Sequence, residues 1–314
     1  MKKLVIIGNS VMDVLASGVN EAVFTTGSLP VDDIKVSFGG DGLNEVMALA
    51  KLHQPAKLIT KVGKDEAGSR IVDYLKRYEV DTSSLILDEC STSINIVLVD
   101  DKGERHFITN PEGSQRKLSL KDIPIDAIEE GSIVNLGSMF ISNELSIQDM
   151  EVLFKELKQK NCIVTADMTK PKQGETLEDI KGLLPYVDYF FPNEEEIAML
   201  TGVKDPLLNV MMLASAGAKC VVIKCGATGC IMGYEGHMYH IPAYKEAKCV
   251  DTTGAGDCFV AGFLWALSEG FDAIDCAYYG CALGSCSIEK LGATEGVQNK
   301  EEMERRYNEI KKYE

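Results

Sequence analysis

The sequence predicts an α/β protein whose doubly wound, mostly parallel sheet carries helices on both faces. Short apolar runs, such as LVIIG at residues 4–8 and CVVIKCG at residues 220–226, alternate with stretches of helical periodicity. Apolar strands separated by helices indicate a parallel sheet that is covered on both sides. Two stretches, residues 14–37 and 93–109, are polar or β-rich where helices would otherwise stand. We expect them to form a small β-sheet that projects from the main domain as a lid.

The elements alternate along the chain as such a fold requires. We expect strands at residues 4–8, 57–63, 132–137, 162–167, 189–193 and 220–226, and helices at residues 44–52, 67–78, 147–160, 255–269 and 273–289. In the lid, IKVSF is typical of one strand, and residues 94–109 of two strands joined by a turn at Asp101-Lys102-Gly103. The α/β domain then comprises residues 1–13, 38–92 and 110–314, and the lid residues 14–37 and 93–109. The charged segment at residues 301–314 is expected to form a surface helix.

The charge of the chain limits its partners. Aspartate and glutamate outnumber lysine and arginine by 48 to 32, so the formal net charge is −16. Nucleic acid and anionic membranes repel such a protein, and we expect neither as a partner. A small phosphorylated ligand needs only a local positive site and stays compatible. The apolar run in MKKLVIIGNS ends at Gly8, which is too short for a signal peptide, and no run approaches the ~20 apolar residues of a membrane span. We expect a cytoplasmic protein.

Ten cysteines raise the question of a metal site or disulfides. Several are spaced by five residues, which places neighbours on opposite faces of a strand and well apart on a helix. No CxxC pair with histidine partners is present. We interpret the cysteines as reduced, small core residues.

The segment DTTGAGDCFVAG, residues 251–262, is the main chemical signal. A glycine turn at a helix start exposes backbone N–H groups, and the helix dipole adds positive charge there, so Gly254, Ala255 and Gly256 are typical of an anion site. A plain helix cap by Thr253 or Asp257 explains one polar residue but not the whole run. A carboxylate beside a bound anion is repelled unless it has a task. Asp257 would have one as the general base that takes a proton from a hydroxyl attacking phosphorus.

Other phosphate-binding patterns do not match. The sequence contains neither GxxxxGK[ST] nor an HRD–DFG pair, and GNSVMD follows the first strand where a dinucleotide-binding fold would carry GxGxxG.

Several motifs in order along the chain resemble the ribokinase-like carbohydrate kinases, the phosphofructokinase-B family. DTTGAGD is similar to the family signature, and FGGDGLNEV at residues 38–46 is similar to its second signature. Asp13 after the first strand agrees with the family order, as do VGKDEAG at residues 62–68, PNEEE at residues 192–196 and KCGATG at residues 224–229. The resemblance covers nearly the whole chain and implies a ribokinase-like fold.

The resemblance implies a role for each matching residue. Asp257 would be the base and Gly254 to Gly256 the anion hole. The sugar hydroxyls would be held by Asp13, Gly40 and Asn44. Mg²⁺ and the phosphates of ATP would lie near Asn193 and Glu196, and the nucleotide near Lys224, Gly226 and Gly229. A monovalent cation, K⁺, would be held by oxygens of Asp251, Thr253, Ser287, Lys290 and Gly292. Taken alone, Asp13 is also compatible with a turn residue, Asn44 with a helix cap, and NEEE with an acidic first helical turn.

The sequence departs from ribokinase itself at informative positions. Val11 stands where ribokinase has asparagine, and Asp41 where it has lysine after the double glycine. Gly296 stands where ribokinase supplies a side-chain ligand to the cation. DMTK at residues 167–170 is similar to the D-x-N-x-R of fructokinase-like members, so Lys170 is a candidate to meet the transferring phosphate as a point charge. The sugar therefore stays open.

The sequence thus predicts an ATP- and Mg²⁺-dependent sugar kinase that phosphorylates a hydroxyl, expected to be primary, of a small sugar. A nucleoside kinase of the same fold is the alternative, with a base slot supplied by Val11, Phe24, Phe38 and Phe107. A non-catalytic sugar or nucleotide sensor has no need of Asp257, and a nicotinamide oxidoreductase lacks its motif. The lid strands are rich in β-branched residues, and an exposed small sheet is marginal unless covered. We expect a homodimer through the lid.

Overall fold

The computed structural model describes residues 2–100 and 105–312. The turn predicted at Asp101-Lys102-Gly103 lies outside these residues. In chain order the strands are β1 (Leu4–Ile7), β2 (Val11–Val19), β3 (Asp33–Gly39), β4 (Ala56–Ile59), β5 (Lys61–Gly63), β6 (Ile86–Asp88), β7 (Ile94–Asp100), β8 (Arg105–Thr109), β9 (Ile133–Met139), β10 (Ile163–Met168), β11 (Tyr189–Phe190), β12 (Cys220–Lys224), β13 (Cys230–Tyr234) and β14 (His237–Ile241). The α-helices are α1 (Asp41–Lys51), α2 (Glu66–Arg77), α3 (Ile147–Gln159), α4 (Leu177–Ile180), α5 (Glu194–Thr201), α6 (Pro206–Ser215), α7 (Ala255–Glu269), α8 (Ala273–Ser287) and α9 (Lys300–Lys311).

The main sheet has the order β14-β13-β12-β11-β10-β9-β1-β4. The strands β12, β11, β10, β9, β1 and β4 run parallel to one another, and β13 and β14 add an antiparallel hairpin at the β12 edge. The predicted doubly wound, mostly parallel sheet is therefore confirmed. The chain leaves β1 toward β4 and later returns to β9 on the other side of β1. This reversal leaves a crevice at the carboxyl ends of β1 and β9, where sheets of this kind bind ligands.

Both faces of the main sheet are buried, as the apolar strands predict. Along β1, Leu4 and Ile6 belong to one core cluster, and Val5 and Ile7 to the other. The first cluster packs against α1, α2, α7, α8 and α9. The second packs against α3, α5 and α6. Successive strand residues point to opposite faces, so each strand contributes to both cores.

The predicted small second sheet is present, with the order β3-β2-β7-β8. Val36, Val14, Ile96 and Ile108 lie opposite one another across its four strands and form an apolar row on one face. Val36, Ile96 and Ile108 in that row are 49%, 43% and 53% exposed. The other face carries Asp13, which is paired with Asn95 of β7. We call this sheet the lid, its Val36–Val14–Ile96–Ile108 side the outer face, and its Asp13 side the inner face.

The lid is longer at its base than the sequence predicted. Strand β2 starts at Val11 and pairs through Asp13 with β3, which ends at Gly39, so the strands of this sheet extend a few residues beyond positions 14 and 37. The expected strand at residues 57–63 is two strands in different sheets, because β4 joins the main sheet while β5 pairs with β6. The β13–β14 hairpin was not predicted. Its turn at Glu235-Gly236, both with positive φ, is the kind of signal that marks a hairpin.

The C-terminal helix is not merely a surface helix. In α9, Met303 and Ile310 belong to the first core cluster. Arg306 is 4% exposed, and its guanidinium bonds the Ser285 carbonyl oxygen at 2.8 Å and Glu289 Oε2 at 2.6 Å. This helix therefore braces the end of α8.

The cysteines lie as predicted. All ten are free, and eight of them are buried, the exceptions being Cys90 and Cys249. Among residues 2–100 and 105–312, no group of histidine, cysteine or acidic side chains is arranged to hold a metal ion. Within the same residues no single helix is long and apolar enough to cross a membrane, although α5 and α6 together, bent by 57°, reach that length and composition.

Candidate active site

The predicted catalytic and sugar-binding residues meet at the crevice between β1 and β9. Helix α1 begins there at Asp41, and helix α7 begins there at Ala255. Asn44 of α1 donates a hydrogen bond from Nδ2 to Asp257 Oδ2 at 2.7 Å. The two residues are 213 positions apart in the chain, so only the fold joins the two signature motifs.

Asp257 is held in the first turn of α7, directly behind the glycine turn. Gly254 caps the helix with φ +71°, a left-handed conformation that favours glycine. A methyl group at Gly254 would lie 2.6 Å from the Ala293 carbonyl oxygen, so a side chain is excluded by space as well. Burial raises the pKa of Asp257, while the bond from Asn44 and the ammonium of Lys224 oppose the rise. The carboxylate thus sits beside N–H groups that have no partner within the helix.

Lys224 reaches this turn from the end of β12. A methyl group at Gly256 would lie 3.3 Å from Lys224 Nζ, so the ammonium lies against the glycine turn. Lys224 forms a buried ion pair with Asp167 of β10. Burial disfavours the charged lysine, but the carboxylates of Asp167 and Glu196 outweigh it and raise the pKa of Lys224. The site therefore keeps one fixed positive charge next to the predicted anion hole.

Asp13 enters the site from the inner face of the lid. Its Oδ1 accepts a hydrogen bond from Asn95 Nδ2 at 2.9 Å. A methyl group on Gly39 would lie 2.8 Å from Asp13 Oδ2 and 3.9 Å from Asn44 Oδ1. Asp13 and Asn44 therefore meet across Gly39, and Gly40, with φ +94°, caps α1 beside them. The turn interpretation of Asp13 is wrong, because the residue lies inside β2.

Asn193 and Glu196 form a capping box at the start of α5. Asn193 Oδ1 accepts from the Glu196 N–H, and Glu196 Oε2 accepts from the Asn193 N–H, both at 2.9 Å. Burial raises the pKa of Glu196, which Lys224 partly offsets. The structure thus gives these residues the helix-capping role that the sequence left open, and it also places Glu196 close enough to Lys224 and Asp257 to interact with both.

The other residues predicted to lie near the nucleotide are Gly226, Gly229 and Lys170, and they occupy two separate places. Gly226 and Gly229 follow β12 with φ +55° and +99°, and a methyl group at Gly229 would lie 2.0 Å from the Ile241 carbonyl oxygen. This turn packs directly on the β14 end. Lys170 pairs with Glu195 at 2.8 Å, and its side chain is 53% exposed. It lies at the rim and not against the glycine turn.

The residues of the predicted cation site gather around one loop. Asp251 Oδ1 accepts from the Thr253 N–H at 3.0 Å and from the Thr253 hydroxyl at 2.8 Å, and Asp251 Oδ2 accepts from the Gly292 N–H at 2.8 Å. A methyl group at Gly296 would lie 2.5 Å from the Ser287 carbonyl oxygen. That carbonyl group therefore points at Gly296, where any larger residue would clash with it. We call this space between Gly296 and the Ser287 carbonyl oxygen the cradle. Lys290 is exposed.

The four residues suggested for a nucleoside base slot do not lie together. Val11 is 3% exposed, and Phe38 packs on Tyr74 of α2 with ring centroids 4.8 Å apart. Phe38 also lies on the outer face, in register with Met12. Phe24 is 83% exposed in a short 3₁₀ helix. Val11 and Phe107, the latter opposite Val97, share the inner face with Asp13, whereas Phe24 and Phe38 do not lie there.

Several polar residues of the site were missed from the sequence. Four buried side-chain atoms have no hydrogen-bond partner in the described part of the chain: Asn9 Oδ1, Glu45 Oε1, Asn95 Oδ1 and Arg116 Nε. Asn9 follows β1, Glu45 lies one residue after Asn44, and Asn95 bonds Asp13. Buried polar atoms in proteins are nearly always satisfied. A cluster of unsatisfied atoms at one crevice is therefore typical of a site that awaits a polar ligand.

Comparison with known proteins agrees with this geometry. A model of the pfkB family carbohydrate kinases matches residues 1–300. An uncharacterized sugar kinase of Archaeoglobus fulgidus is 30% identical over 251 residues, which cover 80% of this chain and 98% of that protein. A ribokinase of Staphylococcus aureus is 27% identical over 309 residues, which cover 96% of this chain and 98% of that protein.

Solved structures resemble the whole fold. The crystal structure of a ribokinase from Thermotoga maritima superposes with a TM-score of 0.84 at 25% identity and covers 98% of this chain and 100% of its own. An Arabidopsis thaliana ribokinase, complexed with ribose and ATP, superposes with a TM-score of 0.82 at 22% identity and covers 98% of each chain. The chain therefore belongs to the pfkB family of carbohydrate kinases, enzymes that transfer a phosphoryl group to a sugar hydroxyl.

Proposed function

We propose that this sugar kinase transfers the γ-phosphate of ATP to a primary hydroxyl of a small sugar, with Asp257 as the general base. The hydrogen bond between Asn44 and Asp257 carries the proposal, because it brings a sugar-binding amide to the group that would take the proton. A base must lie within hydrogen-bond reach of the hydroxyl that it activates. A hydroxyl held by Asn44 is within that reach of Asp257.

The sugar would be held between the lid and α1. Asp13 and Asn44 meet across Gly39, and a carboxylate and an amide together accept from and donate to neighbouring hydroxyls. Asn95 fixes the orientation of Asp13. With the lid above the crevice, water that would compete with the sugar for the phosphoryl group is excluded.

The phosphoryl group would be stabilised from the other side. N–H groups at Gly254 to Gly256 and the positive end of α7, which begins at Ala255, would face the developing charge. Lys224 supplies a full charge beside them. The proton moves from the sugar oxygen to an oxygen of Asp257 while that sugar oxygen bonds phosphorus and ADP leaves. Lys170, paired with Glu195 at the rim, would meet the phosphates only by leaving that partner.

The donor sets fit the ions that the family uses. The carboxylate of Glu196, which uses Oε2 for the capping box with Asn193, suits Mg²⁺, because this ion keeps several waters and binds few protein oxygens. The ion would neutralise charge on the phosphates. The carbonyl of Ser287, pointing into the cradle at Gly296, and the neighbouring oxygens of Asp251, Thr253, Lys290 and Gly292 suit K⁺. Asp251 already accepts three hydrogen bonds, two from Thr253 and one from Gly292. Its carboxylate therefore chiefly shapes the loop that would hold K⁺.

The outer face of the lid would be covered by a second copy of the chain. Its apolar row crosses all four strands and is about half exposed. A two-fold axis brings equal rows together and is the commonest symmetry of oligomers. We propose a homodimer in which two lids pack face to face, and an α/β kinase domain and a lid as the units of the chain.

A panel assay tests the proposed function. ATP turnover is measured against neutral hexoses, pentoses and nucleosides, with the Asp257→Asn variant as the control for each. We expect turnover with at least one sugar and none with Asp257→Asn. Turnover with nucleosides only would favour the nucleoside kinase, for which Phe107 on the inner face is the remaining stacking group. Binding of ATP with no turnover of any compound would favour a sensor.

A further inference from the structure

The sugar side of the site carries two carboxyl groups that phosphoryl transfer does not use. Asp41 is the first residue of α1, and Glu45 follows one helical turn later. Residues three and four apart share a helix face, so Asp41 and Glu45 lie on the same side of α1 as Asn44, or next to it. Asn44 is the residue that bonds the base Asp257. A substituent near the reacting hydroxyl is therefore close to Asp41.

Asp41 is held firmly by one of its oxygens. Its Oδ1 accepts from the Asn9 N–H at 3.1 Å and from the Gly42 N–H at 2.6 Å. Among residues 2–100 and 105–312, no hydrogen bond reaches its other oxygen. The side chain is only partly buried, so that oxygen is available to a ligand. Burial raises the pKa of Asp41 to about 8, and the nearby carboxylate of Asp257 adds to the rise.

Glu45 lies behind Asp41 and is fully buried. Its Oε2 accepts from Asn135 Nδ2 at 2.6 Å, and Asn135 Oδ1 in turn accepts from the Thr165 hydroxyl at 2.7 Å. This chain of bonds anchors the Glu45 carboxyl group on strands β9 and β10 of the main sheet. Its other oxygen, Oε1, has no partner within the described residues. A methyl group on Gly137 would lie 3.1 Å from Glu45 Oε1 and 3.6 Å from Asp41 Cγ, so both carboxyl groups face one corner above Gly137.

The charges around this corner are unbalanced. Lys224, the basic group that interacts with Asp257, is committed to its ion pair with Asp167. The carboxylate of Asp257 raises the pKa of both Asp41 and Glu45, and within the described residues no basic side chain opposes that rise. In the described chain no group of these residues has the arrangement of a metal site. A compact organic cation with several N–H donors would satisfy both the free acceptors and the charge.

We propose that Asp41, backed by the buried carboxyl group of Glu45, binds a protonated amino group on the substrate, so that the enzyme prefers amino sugars to the corresponding neutral sugars. The inference rests on the proposed sugar kinase activity and names its substrate class. An ammonium group would bond the free oxygen of Asp41 and would favour the ionised form of that carboxyl group. A hydroxyl in its place supplies one donor and no charge. A carboxylate or phosphate there would be repelled.

Matched sugar pairs test the preference. We would measure kcat/KM for glucosamine against glucose, galactosamine against galactose, and 1-amino-1-deoxyfructose against fructose. N-acetylglucosamine, an amide without charge, is the control for the glucosamine pair. At least one amine should exceed its neutral partner by about tenfold, equal to one ion pair of moderate strength. In Asp41→Asn, the amine-to-neutral ratio of kcat/KM should fall to about one, whatever the change in kcat/KM for the neutral sugar itself.

The outcomes separate this inference from the proposed function. Turnover of neutral sugars with no amine preferred in any pair, or a preference that persists in Asp41→Asn, overturns the inference and leaves the sugar kinase standing. No turnover of any sugar overturns the proposed function. In that case calorimetric titration of the same pairs, with a non-hydrolysable ATP analogue present, still decides whether amines bind more tightly. Glu45→Gln is the second variant: it keeps the bond from Asn135, and it should lower the amine-to-neutral ratio without abolishing it.

Discussion

Asn44 and Asp257 share a hydrogen bond of 2.7 Å across 213 positions of the chain. The bond ties the start of α1 to the start of α7, so the turns proposed to bind the sugar and the phosphate are fixed relative to each other. It also orients the proposed base, because Asn44 donates to Asp257 Oδ2 and leaves Oδ1 for a substrate hydroxyl.

Replacing the base should stop the chemistry and spare the fold. Asp257→Asn keeps the shape of the side chain but cannot accept a proton, and loss of a general base typically costs about 10²–10⁴-fold in rate. We expect kcat to fall within that range while the melting temperature and the affinity for ATP change little. Stopped assays with the best sugar, and titration of ATP, check both. Retention of more than about a tenth of the rate would remove Asp257 from the role of base.

The lid carboxylate should affect the sugar and not the nucleotide. Asp13→Ala leaves Asn95 and the sugar hydroxyls without their acceptor, which costs roughly 1–3 kcal/mol, or about 5- to 150-fold in the sugar KM. The KM for ATP should stay nearly constant. Steady-state kinetics with each substrate varied in turn separate the two. Equal changes in both KM values would place Asp13 outside the sugar pocket.

The outer face of the lid should control assembly. Val36→Asp or Ile96→Asp puts a carboxylate into the apolar row, and a buried unpaired charge is strongly unfavourable. Light scattering at micromolar concentration should give a dimer for the parent protein and a monomer for both variants. Lys35→Asp, on the neighbouring residue and the inner face, is the matched control and should stay dimeric. A parent mass of one chain, or dimers of all three variants, would rule out the lid interface.

The pKa of Asp41 predicts a dependence of stability on pH. Its carboxyl group has an ordinary pKa of 3.8 and a folded-state pKa of about 8, so the folded protein holds this proton more tightly than the unfolded chain. The stabilisation is complete below the lower value and is lost as the pH rises through the higher one. Asp41→Asn should therefore melt at a higher temperature than the parent at pH 8 and gain less at pH 5. Equal gains at both pH values would contradict the raised pKa.

The cradle at Gly296 predicts a response to K⁺. A methyl group there would lie 2.1 Å from the Cys286 carbonyl oxygen and 2.5 Å from that of Ser287, so Gly296→Ala must displace the loop. We expect activity of the parent enzyme to be higher in KCl than in tetramethylammonium chloride, and this difference to vanish in Gly296→Ala. Gly182→Ala, where a methyl group meets only the flexible end of Glu151, serves as the control. An equal rate of the parent in both salts would exclude a functional K⁺ site.

The sequence predicted the elements whose apolar residues follow one clear pattern. It failed for segments that change partner strand or are half-buried on both faces. Helix α7, apolar along its length and ended by Gly270, was predicted at its observed bounds. Strand β2 was missed because VMDVLASGV is half-buried on both faces, so it lacks the alternation of a surface strand. Residues 57–63 look like one apolar strand, yet Thr60 separates two sheets. Pattern alone does not show that the partner strand changes.

The site was predicted where motifs carried it and missed where only the fold did. Asp257, Asn44 and Asp13 came from the family motifs, and the structure brings them together. Asp41 and Glu45 stand beside Asn44 in the sequence, but acidic residues at a helix start are ordinary. Their meaning depends on Gly137 of β9, which leaves the corner open. Gly137 is far from Asp41 and Glu45 in the chain, so the sequence alone does not show that the three residues meet.

The short connection from β1 to β2 has a consequence for how affinity should be measured. Only residues 8–10 separate the main sheet from the lid strand that carries Asp13, so the proposed sugar contact of Asp13 belongs to the lid itself. Open and closed forms of the enzyme would then differ in intrinsic affinity, and the observed dissociation constant equals the closed-state value divided by the closed fraction. A change that merely tightens the lid, far from any sugar atom, would register as stronger sugar binding.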